Sequence, residues 1–398
     1  MKRVGMVMFT VFSVLFLIAV GVGTMILFGD DDAEATPTPP AASDSSTLEP
    51  TEPPRATLTP ERTSVPGQPT RTPRPTTTPA ATATPPSGAG AITAGNVAEL
   101  IAQGTIALEG ATDVQHAIRN FAWSADSAQI AVPEPANNRV ALYDADTREL
   151  IVTLGEQDEP VRSVAFSPDG TLLAAGSREI TVWDVESNEP VATLEGHTSP
   201  ALSLAFSPDG ARIASTGADQ SVRLWDAITG DQQAQLQFGV AGQAVAFSPD
   251  GAQIAARGER IVRVWDAESG DEGATLQHDA LVTGMAFSPD GDQLATAAFN
   301  GAVQVWDLDT GEIAATLLPD EAGVQRLDLA YSLDGTVLAV GSGTQATLDL
   351  LDAETGEVLG TLNAEPLHTS VSLSPDGRQL AALSGERGET LVLWGLPG

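Results

Sequence analysis

The chain has 398 residues, no cysteine and a formal net charge of −34, from 53 acidic and 19 basic side chains. The length allows more than one core, and the missing cysteines exclude a disulfide framework, a thiolate metal site and a lipid-modified cysteine. The charge argues against nucleic acid, which requires a positive footprint, and against an anionic membrane surface.

Met1-Lys2-Arg3 is a short basic head, and Val4 to Phe28 then runs without a charge until Asp30, Asp31 and Asp32. At about 1.5 Å per helical residue that run exceeds a hydrocarbon core of about 30 Å. Positive before and acidic after predicts residues 1–3 inside, a single transmembrane anchor at 4–28, and the rest outside. A cleaved signal peptide is the rival reading. Its apolar region is ordinarily about 7–15 residues long, and no clear Ala-x-Ala site stands at the acidic edge, which favours an uncleaved signal-anchor. Residues 29–90 are dominated by Thr and Pro, as in Thr36-Pro37-Thr38-Pro39-Pro40. Proline removes amide donors and little apolar material is available to bury, so this segment reads as a disordered, semi-rigid stalk. Such stalks are also substrates for O-linked sugars.

From residue 91 onward the chain repeats. Ser124, Ser167, Ser207, Ser248, Ser288, Ser332 and Ser374 recur every 40 to 44 residues. Five are followed by Pro-Asp-Gly, at 168–170, 208–210, 249–251, 289–291 and 375–377; the sixth has Leu333-Asp334-Gly335 and the first Ala125-Asp126-Ser127. Repeats of this period must stack to bury their apolar faces. Each reads as four short strands. In the third unit these are Ala201 to Ser207, Ala211 to Thr216, Ser221 to Asp226 and Gln233 to Gln237, with Pro208-Asp209-Gly210 and Thr229-Gly230 as turns. The small residues of the second strand suit a crowded place near the axis of a ring.

These units resemble the WD repeats of the WD40 β-propeller family, in an extracytoplasmic, membrane-anchored bacterial form. The motif stands intact at Trp183-Asp184, Trp225-Asp226, Trp265-Asp266 and Trp306-Asp307, and decays to Tyr143-Asp144, Leu351-Asp352 and Trp394-Gly395. The resemblance implies an all-β, seven-bladed propeller over 91–398, with four-stranded antiparallel blades. It also implies a structural hydrogen-bonded set within a blade: His197, Ser215, Asp219 and Trp225 in the third unit, and His278, Thr296, Asn300 and Trp306 in the fifth. The fourth has Phe238 at the His position, while His116 and His368 fall outside the register. The seventh unit has three strands, so residues near 104–108 are expected to supply its fourth and shut the ring.

By the family's topology the tight turns share one face, and the variable loops, including Gly239 to Gly242 and Asp320 to Gly323, occupy the other. Loops on a rigid support are where recognition usually sits. An acidic propeller favours cationic protein partners; the bland alternative is a surface that only keeps the chain soluble. There is no Walker loop, no His-Glu-x-x-His, no Gly-x-Ser-x-Gly and no calcium loop, so no catalytic, cofactor-binding or metal-binding residue is assigned. The expected function is an extracytoplasmic interaction scaffold. The alternatives are an enzyme or small-ligand sensor working through the central channel, and a structural part of an envelope assembly.

Overall fold

The computed structural model describes residues 90–109, 120–155, 157–363, 370–385 and 387–397. The expected transmembrane anchor, the expected stalk up to residue 89 and the histidines at 116 and 368 lie outside the described residues. Among the described residues no helix is long and apolar enough to cross a membrane.

The described chain folds into seven four-stranded antiparallel sheets, with strands in sequence order in six of them. The third blade consists of Ala201–Phe206, Arg212–Gly217, Ser221–Asp226 and Gln232–Gln237, within one residue of the sequence expectation at each bound. Alternation explains the pairing of the sheets. In Ser221–Asp226 the even residues turn to one neighbour and the odd residues to the other, so both faces are covered and most of the strand is buried. Seven apolar clusters among the described residues each join two adjacent blades. The first strands of neighbouring blades touch, so the first strand, and not the second, is innermost. The small residues of the second strand serve blade-to-blade packing instead: Ala214, Ala255 and Ala295 are fully buried in those clusters.

The seventh sheet closes the ring. Ile101–Ala107 pairs antiparallel with Thr390–Gly395, bulging between Ala102 and Gly104. The closing strand therefore begins three residues before the expected segment. Ile106, opposite Leu391, sits in the cluster shared by blades seven and one. Arg148, from the turn of blade one, donates from Nη1 to Gln103 O at 2.7 Å, holding the strand from the neighbouring side. Just upstream, Ile92, Val97 and Leu100 fill the junction of blades six and seven. There Ile92 N–H donates to Gly377 O, and Ala94 N–H to Thr336 Oγ1. The chain thus joins the ring on the face that carries the tight turns.

Candidate functional site

The tight turns are saturated by their own contacts. In every blade the marking serine donates from Oγ to the aspartate two residues on, as Ser207 does to Asp209 and Ser124 to Asp126. The same Oγ accepts a backbone N–H five residues on, such as Arg212 N–H at 2.9 Å. Blade one keeps this set although its sequence is degenerate, because Ser127 takes the left-handed conformation (φ 61°) that glycine supplies elsewhere. The turns also pack around the ring. Pro208 Cδ stands 3.2 Å from where a side chain on Gly251 would begin, and Pro168 Cδ 3.6 Å from the same point on Gly210. The aspartates of the WD pairs cap the next turn. Asp226 Oδ1 accepts from Ile228 N–H and Thr229 N–H, and Asp266 and Asp307 act alike.

In blade three, Trp225 Nε1 donates to Ser215 Oγ at 2.8 Å, Ser215 Oγ lies 2.7 Å from His197 Nε2, and His197 Nδ1 lies 2.7 Å from Asp219 Oδ2. One tautomer satisfies all of these, with Nδ1–H donating to the carboxylate and Nε2 accepting the serine proton. Asp219 also accepts from Thr198 N–H and Ser221 Oγ. Burial raises the Asp219 pKa, but the His197 hydrogen bond and charge, with the Ser221 and Thr198 donors, outweigh it and hold the carboxyl below its usual range. Burial pushes His197 down, against the pull of Asp219.

Blade five keeps half of this arrangement. Trp306 Nε1 donates to Thr296 Oγ1 at 3.0 Å, and Thr296 Oγ1 lies 2.9 Å from His278 Nε2. Asn300 does not complete the set as expected. Its Oδ1 faces the backbone N–H of Ala302, so no carboxylate or amide meets His278; burial pushes that imidazole down, against backbone hydrogen bonds at Leu276 and Arg260. In blade four, Phe238 replaces the imidazole and meets Trp265 edge-on, with centroids 5.9 Å apart. Trp183 and Trp265 are buried in the blade junctions that precede them.

Near the axis the polar groups are taken up by stitches between blades. Ser203 Oγ accepts from Val245 N–H, Thr283 Oγ1 donates to Arg326 O, and Asp328 Oδ2 accepts from Val371 N–H. Arg257 donates to Gln243 Oε1 and Val282 O. Burial pushes the Asp328 carboxyl up to about 6, although Arg257 opposes the shift. Sequence reasoning missed this pair. It also missed the buried Arg326–Asp349 ion pair at 2.6 Å in blade six, because one arginine and one aspartate 23 positions apart carry no motif.

On the loop face Leu281 and Phe299 are 38% and 39% exposed, and Phe299 lines a cleft of about 320 Å³ with Asn300, Asp320, Glu321, Val324 and Gln325. Among the described residues no group of three or more His, Asp and Glu is placed to hold a metal ion.

Comparison with known families agrees with this geometry. Residues 177–397 match the model described as the IFT122 first beta-propeller, and residues 101–230 match that of the eukaryotic translation initiation factor eIF2A. No curated protein matches the chain.

Proposed function

The chain belongs to the family of the IFT122 first beta-propeller, and from that premise we propose that it is a protein-interaction scaffold, anchored in a membrane by residues 4–28 with its propeller on the extracytoplasmic side. The observation that carries the scaffold reading is a closed ring of seven four-stranded blades with Leu281 and Phe299 exposed on its loop face. A preorganised surface binds with little ordering cost, which suits a platform.

The anchor rests on the uncharged run from Val4 to Phe28, with Lys2 and Arg3 before it and Asp30 to Asp32 after. In this reading the Thr/Pro-rich stalk is a semi-rigid spacer between the anchor and the propeller. The partner is a protein, with cationic surfaces favoured by the net charge of −34.

Crosslinking of the full-length protein in its own envelope, followed by identification of what is caught, tests the scaffold. A reproducible partner whose crosslinks map to the loop face is expected, and no partner above background overturns it. The mass of the mature protein tests the anchor separately, since loss of the first thirty or so residues would remove it.

A further inference from the structure

Among the described residues the loop face carries a concavity that the ring's framework does not use. On blade five the turn at Phe299–Asn300 faces the connection to blade six, and the two walls are tied together. Glu321 N–H donates to Asn300 O at 2.9 Å, and Val324 N–H to Glu321 O at 3.1 Å. Gly301, at φ +91°, lets the turn close on Val324; a side chain there would begin 3.3 Å from Val324 O. These bonds hold the two walls of the cleft together.

Its chemistry has two parts. One side is apolar: Phe299 lines the cleft, its N–H donates to Leu281 O at 2.9 Å, and both side chains are exposed. The other side is anionic, with Asp320 and Glu321 lining the cleft, exposed and in no ion pair among the described residues.

We propose that this cleft docks a basic segment of the partner protein, one arginine or lysine lying stem-first on Phe299 and Leu281 with its cation between Asp320 and Glu321. The inference rests on the scaffold reading and deepens it. Long basic side chains cover apolar surface with their stems while the charged head stays polar. An arginine over an aromatic face gains further from the ring quadrupole. A space of about 320 Å³ accepts one or two side chains, not a folded domain.

The probe is a fluorescein-labelled Ala-Arg-Leu-Arg-Ala peptide, read by anisotropy against the full-length chain in detergent at low salt. An analogue with citrulline at both arginine positions serves as comparison. The basic peptide is expected to bind, and the neutral analogue at least tenfold more weakly. Asp320→Asn with Glu321→Gln is expected to weaken binding tenfold or more, and Phe299→Ala likewise. Asp309→Asn with Glu312→Gln removes the same charge from the turn side of blade five and is expected to leave binding unchanged. Equal loss in that control would reduce the effect to bulk charge and overturn the site, as would wild-type affinity in the cleft variants. Partner crosslinks mapped elsewhere on the ring would remove the cleft alone and leave the scaffold standing.

Discussion

At the scale of single residues, blades three and five form a natural comparison. Both bury a histidine against a tryptophan, but only His197 has a carboxylate partner at Nδ1. A buried donor without a partner costs about 1–3 kcal/mol. Asp219→Asn offers an amide where a carboxylate oxygen takes both His197 and Thr198, so it is expected to lower stability by about that amount in denaturant melts. The reverse change, Asn300→Asp, offers His278 the carboxylate that His197 has and is expected to raise the melting temperature. Lower stability for Asn300→Asp would show that position 300 cannot reach the ring.

Asp328 gives a pH signature of its own. Its folded pKa of about 6 stands above the ordinary carboxylate value of 3.8, so between these values the native state holds a proton that the unfolded chain has released. Stability from this group is therefore greatest below about pH 4 and falls as pH rises to about 6. Asparagine still accepts the Val371 N–H and does not ionise. Asp328→Asn is expected to match the wild type near pH 4 and to exceed it by about 2–3 kcal/mol above pH 6. Urea melts at several pH values read the difference, and a gap independent of pH would refute the assignment.

At the scale of elements, the turns and strands were legible in the sequence because each repeat writes them out again. Ser-x-Asp followed by a Trp-Asp pair marks strand ends locally, and local patterns survive in one dimension. Even blade one was readable, since Ser124 and Asp126 carry the turn's hydrogen bonds while the proline contributes packing. What stayed hidden lies between repeats. Pro208 against Gly251, Arg148 on Gln103 and Arg326 with Asp349 join residues whose meeting depends on the assembled ring. The closing strand shows both sides. Its existence followed from a blade short of one strand, whereas its start at Ile101 depends on the bulge beside Gly104 that Arg148 fills. Arg148→Ala is expected to speed amide exchange across Ile101–Ala107 while the outer strand of blade three, Gln232–Gln237, keeps its rate. Equal rates at both places would show that the side chain holds nothing.

At the scale of the whole molecule, two features act on all blades together. Self-repulsion from a net charge of −34 opposes the compact state and is screened by salt, over about 8 Å at physiological ionic strength. The second feature is closure. An open stack of repeats loses its end unit first, because each repeat contacts only its neighbours. Here the described ring has an apolar cluster at each of seven junctions, and the one between blades seven and one depends on a strand more than 280 residues distant from its partner in sequence. Ile106 is 3% exposed at that junction, so Ile106→Ala leaves a cavity costing about 2–5 kcal/mol. In a closed ring that loss is shared. Tryptophan fluorescence and far-ultraviolet dichroism are expected to shift by the same amount and remain coincident, and slow amides of Ile261–Asp266 in blade four, across the ring, are expected to lose protection too. Early loss of protection in blades seven and one, with blade four unchanged, would mean that the strand joins the ends without coupling them.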